Sequence, residues 1–152
     1  MLRKIALGLS VLVLALFIAG IAGYVITGPQ APAADSVSAQ WLKPGPYMTA
    51  SSDKVFVDSS RGTAANRDYS GAADRTLATT LWYPLDTEES HPLVIHSHGF
   101  TSARNDLSYV AELLASHGYV VAAADYPLTH GGAPGKPNAV DVVNQPADVS
   151  FL

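Results

Sequence analysis

The sequence contains no cysteine. This absence excludes disulfide bonds, thiolate metal sites, a cysteine nucleophile and a lipidated cysteine. Charged residues are also scarce, at 14% of the chain, and the formal net charge is -4. Nucleic-acid binding needs clustered Lys and Arg to neutralise phosphates, so this balance argues against nucleic acid as a partner. Hydrophobic residues make up 48% of the chain, which predicts a packed interior.

The N-terminus contains a long run without charge. Arg3 and Lys4 precede the run, and the next charged residue is Asp35. Residues 5–26 supply 22 mostly apolar positions, enough for a helix across a ~30 Å hydrocarbon core and more than a secretory signal needs. The sequence Ala-Pro-Ala at 31–33 leaves cleavage open as an alternative. We expect the remainder to be exported: anchored outside the cytoplasm (periplasmic or extracellular), or secreted if the leader is cleaved.

Composition divides the chain into three parts. Residues 1–27 are interpreted as a signal peptide or membrane anchor. Residues 28–46 carry four prolines among small and polar residues, which is typical of a linker. Residues 47–152 are predicted to form the N-terminal, incomplete part of one globular domain.

The domain shows a strand-rich pattern with one helical segment. Predicted strands are "KVFVD" at 54–58, "TLATTLWYP" at 76–84, "PLVIHSH" at 92–98 and "YVVAAADYP" at 119–127. Apolar residues recur at helical spacing between the last two strands, with Thr101 or Ser102 as N-cap and Gly118 as the terminating glycine. A second helix is predicted from Asn144 or Gln145. The result is an α/β fold with a mostly parallel sheet of about four strands.

The stretch "HSHGFT" ends the third predicted strand and precedes the helix. Ligands of open α/β sheets bind beyond the carboxyl ends of the strands. Gly99 allows close approach of the backbone, and the Phe100 N–H is a candidate donor to an oxyanion. His98 and Thr101 are the expected neighbours in the turn and pocket. A tight turn with a packed aromatic ring is the alternative that the tripeptide leaves open.

The spacing of His96 and His98 permits a second chemistry. Side chains two residues apart on a strand share a face, and two histidines can begin a zinc site. Such a site needs further ligands, for which Asp125 and His130 are the available candidates. A zinc-dependent hydrolase is therefore an alternative, although we expect His96 to be structural and Asp125 to make a loop contact.

Other polar residues are expected at the surface. His117 and His130 belong to this group. Arg61, Arg67 and Arg75 are expected to be solvated, although one of them could pin the polar loop at 59–75 to an aspartate.

The motifs "RTLATTLWYP", "PLVIHSHGF" and "GYVVAAADYP", in this order, resemble the N-terminal half of an α/β-hydrolase. More narrowly, they resemble the dienelactone hydrolase, chlorophyllase and platelet-activating-factor acetylhydrolase-like serine esterases, over roughly residues 59–152. The resemblance implies hydrolysis of small-molecule or lipid-like carboxylic esters through an acyl-serine, without cofactor or metal. It also implies that Phe100 supplies one oxyanion amide.

The family's nucleophile motif is missing. No serine in the sequence has glycine at both the second preceding and the second following position, as Gly-x-Ser-x-Gly requires. We therefore expect an N-terminal fragment whose triad lies outside these residues, inactive alone and marginally stable because an apolar strand lacks a neighbour. A membrane-tethered, non-catalytic binding module is the remaining alternative.

Overall fold

The computed structural model describes the backbone of residues 2–152 and the side chains of residues 8–152. It divides into two units, residues 1–40 and 41–152. The first contains helix α1 (Leu2–Thr27) and most of the short helix α2 (Val37–Trp41). Within α1, residues Gly8–Thr27 have a mean hydropathy of 2.6 and no buried positions, as a membrane-spanning or signal helix requires. The side chains of Arg3 and Lys4, on which the orientation prediction depends, lie outside the described residues.

The second unit contains a four-stranded sheet. Its elements are β1 (Thr49–Asp58), β2 (Arg75–Pro84), β3 (Leu93–His96), α3 (Ser108–Ser116), β4 (Val120–Asp125) and α4 (Gln145–Phe151). A 3-10 helix spans Ala139–Asn144, within a segment expected to be loop. The four-stranded α/β architecture predicted from the sequence is confirmed.

The sheet has the strand order β1-β2-β4-β3. β1 pairs with β2 and β2 with β4 in antiparallel fashion, whereas β3 and β4 are parallel. The pairing in the described residues is therefore mixed, and the expectation of a mostly parallel sheet applies to β3 and β4 alone. Parallel neighbours need a crossover connection, which α3 provides between these two strands.

Helices cover both faces of β4. On one face, Trp82, Val121 and Ala123 pack against Ala111 and Ala115 of α3. On the other face, a second cluster is formed by Leu77, Ala124 and Tyr126. Val149 of α4 and Leu152, which directly follows α4, are partly buried against this cluster. Covered on both faces, β4 has the nearly continuous apolar sequence expected of a central strand.

β3 lies at an edge of the sheet. Within residues 2–152 it pairs with β4 and has no partner on its other side. Leu93 is consequently 54% exposed, although the apolar run had predicted a strand buried on both faces. The edge position explains the difference, because a strand at the edge of a sheet has one uncovered flank.

The ends of α3 differ from the expected caps. Neither Thr101 nor Ser102 caps the helix: it begins at Ser108, and Leu107 occupies the N-cap position without a side-chain hydrogen bond. The predicted terminator is confirmed, since Gly118 follows the C-cap with φ +91, a conformation that favours glycine. α4 begins at Gln145 with proline in its first turn, as predicted.

The segment interpreted as a linker, residues 28–46, contains α2, and its last residues belong to the second unit. The Gly45 N–H donates to Ser116 Oγ at 2.8 Å, and the Lys43 carbonyl lies 3.0 Å from His117 Nε2. These contacts attach residues 43–45 at the C-terminal end of α3. The turn after β3 precedes α3 and lies toward its other end.

Candidate oxyanion site

The residues after β3 form a tight turn. The Ser102 N–H donates to the Gly99 carbonyl at 3.0 Å, which closes a four-residue turn. Its third residue, Thr101, has φ +68, as a type II turn requires. A β-branched residue in this region stores about 1–3 kcal/mol of strain and persists only where neighbouring contacts hold it. Here the Thr101 N–H donates to the Thr129 carbonyl at 2.9 Å.

The Phe100 amide has no hydrogen-bond acceptor in the described part of the chain. The Phe100 side chain is 53% exposed. A methyl group built on Gly99 would meet no atom within 4 Å. The alternative of a tight turn with a packed aromatic ring is therefore not seen among the described residues, because the Phe100 ring is exposed. An unpaired backbone N–H beyond the end of a strand is the kind of group that can donate to an oxyanion.

His98 is buried behind the turn, with 4% exposure. Its Nδ1 lies 2.8 Å from the Gly99 carbonyl, and its Nε2 accepts the Tyr126 N–H at 3.3 Å. These partners favour the tautomer that carries its proton on Nδ1. The ring also packs on Tyr126, with 5.1 Å between ring centroids. His98 therefore packs behind the turn, and its two nitrogens are engaged by backbone groups.

His96 and Ser102 contact the same carboxylate. Asp106 Oδ1 lies 2.8 Å from His96 Nε2, and Asp106 Oδ2 accepts the Ser102 hydroxyl at 2.5 Å. Burial raises the pKa of Asp106, but the hydrogen bonds from Ser102 and His96 outweigh it and leave the pKa below its usual value. Because serine and histidine meet the aspartate and not each other, the three residues do not form a nucleophile and base.

This arrangement does not favour the zinc alternative. β3 ends at His96, so the strand face is not continued to His98, and the two rings have separate partners. Within the residues whose side chains are described, no group of three or more His, Asp or Glu residues could hold a metal ion. Asp125 instead accepts the Arg104 N–H at 2.7 Å and pairs with the Arg104 guanidinium, which is the expected loop contact.

A buried ion-pair network lies between β2 and α4. Arg75, with 1% exposure, donates from Nε and Nη2 to Asp148 at 2.7 and 2.6 Å, and from Nη2 to Asp141 at 3.0 Å. Arg61 Nη2 lies 2.9 Å from Asp148 Oδ1 and forms an ion pair with it. Within the described residues, neither Nη1 nor Nη2 of Arg61 makes a hydrogen bond. Burial lowers the pKa of Arg75, but its bonds to Asp148 and Asp141 outweigh this and raise it.

The network corrects the expectation that Arg75 is solvated, whereas Arg61 is partly buried and Arg67 is exposed as expected. Arg75 is the first residue of β2 and points into the interior, where two aspartates neutralise it. No local pattern signals this, because the partners lie 66 and 73 residues away in the sequence. The expectation that one arginine pins the loop to an aspartate is met by Arg61 and Asp58, at 2.7 Å.

His130 is also less exposed than expected. With Asp125, Tyr69 and Asp74 it lines a pocket of about 220 Å³ at the carboxyl end of β4. Burial lowers the pKa of His130 below its usual value, and the nearby charge of Asp125 opposes this shift only in part. The half-buried position follows from the loop after β4, which folds back over the sheet.

Comparisons with known proteins identify the family. Over 43 residues the chain is 46% identical to the platelet-activating factor acetylhydrolase of Cavia porcellus, which covers 28% of this chain and 10% of that relative. A ferulic acid esterase from Streptomyces cinnamoneus matches with a TM-score of 0.53 at 23% identity, over 68% of this chain and 44% of the esterase. The match thus spans about a tenth of the acetylhydrolase and less than half of the esterase. The match to the esterase shows a common fold.

The model of one protein family matches most of the second unit. It is described as platelet-activating factor acetylhydrolase, isoform II, and it aligns with residues 29–127. That range includes β1 to β4, the turn at Phe100 and the start of the loop after β4. The α/β-hydrolase-like fold and the esterase resemblance predicted from the sequence are thereby confirmed. The chain belongs to the platelet-activating factor acetylhydrolase, isoform II, family.

Proposed function

We propose that this chain contributes an oxyanion donor to a serine carboxylic ester hydrolase. The observation that carries the proposal is the Phe100 N–H, which has no acceptor in the described part of the chain and follows Gly99, where an added methyl group would meet no atom within 4 Å. During acyl transfer this N–H would stabilise the charge that develops on the substrate's carbonyl oxygen. His98, Gly99 and Thr101 form the turn that presents it. Membership of an acetylhydrolase family supports an ester as the substrate.

The nucleophile, acid and histidine of the triad are proposed to lie outside these 152 residues. The sequence has no Gly-x-Ser-x-Gly. The two serines near the turn also lack a histidine partner: Ser97 Oγ lies 2.6 Å from the Tyr126 hydroxyl, and Ser102 Oγ bonds to Asp106. The uncovered edge of β3 supports the same proposal, since a further strand pairing there would bring its own end to the turn. The chain alone is then inactive.

Export is the second part of the proposal. The apolar helix Gly8–Thr27 has the length and hydropathy of a membrane anchor or a signal. An anchored or secreted enzyme would meet small-molecule or lipid-like esters outside the cytoplasm. No cofactor is required, because the acyl-serine route needs hydrogen-bond donors, a base and water.

Labelling with a fluorophosphonate tests where the nucleophile lies. The protein that carries this chain is treated with the probe, digested and mapped by mass spectrometry, with heat-denatured protein as the control for nonspecific labelling. We expect one labelled serine outside residues 1–152 and no labelling of residues 1–152 expressed alone. Specific labelling of Ser97 or Ser102 would contradict the proposal.

A further inference from the structure

The segment Tyr126–Gly131, called here the clamp loop, lies directly against the turn that carries Phe100. Two backbone hydrogen bonds join them: the Thr101 N–H donates to the Thr129 carbonyl at 2.9 Å, and the Gly131 N–H donates to the Ser102 carbonyl at 2.8 Å. A methyl group on Gly131 would lie 2.7 Å from the Thr101 carbonyl oxygen. The clamp loop therefore contacts the turn on the residues that follow Phe100.

These contacts constrain the backbone directly after Phe100. Thr101 has a positive φ that a β-branched residue does not adopt freely, so the turn needs an external constraint. Its N–H is held by Thr129, and the next residue is held by Gly131. Loss of either bond would let the peptide between Phe100 and Thr101 rotate toward a less strained conformation and carry the adjacent amide with it.

Thr129 is in turn held from α4. Its side chain is fully buried, and its hydroxyl accepts the Gln145 side-chain N–H at 2.9 Å. Gln145 opens α4, and Asp148, three residues further along the helix, makes the buried ion pair with Arg75 on β2. The clamp loop is thus connected through Gln145 to the helix that carries the buried Asp148.

We propose that Thr129 and Gln145 are positioning residues for the oxyanion donor. They touch neither substrate nor nucleophile, and they act by holding the Thr129 carbonyl where it accepts the Thr101 N–H. This inference rests on the proposed function of Phe100. Because an oxyanion donor acts mainly in the transition state, a misplaced amide lowers kcat and leaves KM nearly unchanged.

The test uses Thr129→Val and Gln145→Ala in the protein that carries this chain. Valine keeps the β-branched shape of Thr129 and removes the hydroxyl, while Gln145→Ala removes the donor from a half-buried position. Thr79→Val is the matched control: Thr79 is equally buried, but its hydroxyl bonds to the Leu77 carbonyl of its own strand at 3.1 Å. We expect a fall in kcat of about tenfold for either variant, KM within about twofold, and both constants unchanged for the control.

Amide hydrogen exchange gives a readout independent of activity. We expect the Thr101 amide to exchange faster in Thr129→Val and Gln145→Ala than in Thr79→Val. Equal kinetics and equal exchange in all three variants would overturn the inference, as would a change confined to KM. Loss of activity in Phe100→Pro with full activity in Thr129→Val and Gln145→Ala would overturn the positioning role alone. Full activity in Phe100→Pro would overturn the proposed function as well.

Discussion

The Thr101 N–H donates to the Thr129 carbonyl and thereby joins the two loops that follow the parallel strands β3 and β4. Because parallel strands end at the same edge of a sheet, these loops meet where ligands bind in open α/β folds. The bond holds a strained threonine immediately after the residue whose amide we propose as the oxyanion donor. The peptide bond between Phe100 and Thr101 is therefore held both by the local turn and by a contact from a loop that is distant in the sequence.

Gly99→Ala is expected to lower the activity while leaving the stability nearly unchanged. Gly99→Ala places a methyl group where no atom lies within 4 Å, so we expect the free energy of unfolding to change by less than about 0.5 kcal/mol. If the substrate occupies the open position beside Gly99, the added methyl group blocks it, and we expect the rate of ester hydrolysis to fall sharply. Chemical denaturation and steady-state kinetics on the same preparation measure both effects.

Gly131→Ala is the matched comparison. There the methyl group would lie 2.7 Å from the Thr101 carbonyl oxygen, and we expect a loss of about 1–3 kcal/mol in stability. A stable Gly131→Ala variant would show that the clamp loop does not pack as described. Unchanged hydrolysis by Gly99→Ala would show that the space beside Gly99 receives no substrate.

The buried network should respond strongly to loss of one charge. Asp148→Asn leaves Arg75 and Arg61 facing fewer negative charges in the interior, and we expect a loss of about 3–5 kcal/mol in the free energy of unfolding. Asp68→Asn, at an exposed position, makes the same chemical change and should alter stability by less than about 0.5 kcal/mol. Equal midpoints of denaturation for the two variants would contradict the assigned role of Arg75.

The sequence predicted the strands, α3 and the turn because each has a local signature. The turn in particular was identified from the glycine beside Phe100 and the change from strand to helix period. Arg75 and Asp148 were missed because a charged residue at a strand end gives no local sign of burial, and its partners lie far along the chain. Thr129 was missed for the same reason: its role depends on which loop folds against which.

The N-cap of α3 was predicted wrongly for a different reason. Thr101 and Ser102 have the side chains of N-caps, yet α3 begins only at Ser108. The turn takes Thr101 into a positive φ, and Asp106 takes the Ser102 hydroxyl, so neither side chain remains to cap the helix. Tertiary contacts at the candidate site thus overrode a local preference.

His130 predicts a pH dependence of stability. Its pKa in the folded state lies below the usual value of 6.5, so the unfolded chain binds the proton more readily. The stabilisation is present above the unfolded pKa and is lost as pH falls through the lower, folded pKa. We expect His130→Gln to flatten the decline in stability between about pH 7 and pH 5, measured by urea denaturation.

His117→Gln serves as the control for this experiment, since His117 lies at the end of α3 remote from the pocket and keeps the carbonyl contact of Lys43. A pH profile altered equally by both substitutions would show that burial of His130 is not its cause.

The uncovered edge of β3 predicts self-association of the second unit. Residues 41–152 expressed alone should aggregate through this apolar strand, and Leu93→Lys should reduce the aggregation because a charged side chain on an edge opposes strand pairing. Light scattering at matched concentration measures the difference. A monomeric, sharply melting unit without the substitution would instead favour a self-sufficient binding module.

The most direct measurement compares Phe100→Pro with Phe100→Ala in the protein that carries this chain. Proline removes the N–H and is well tolerated at the second position of such a turn, whereas alanine keeps the N–H and removes the ring. We predict that Phe100→Pro lowers kcat for p-nitrophenyl acetate about 100-fold or more while Phe100→Ala stays within about tenfold of wild type. Equal activity in the two variants would contradict the assignment of the Phe100 amide as an oxyanion donor.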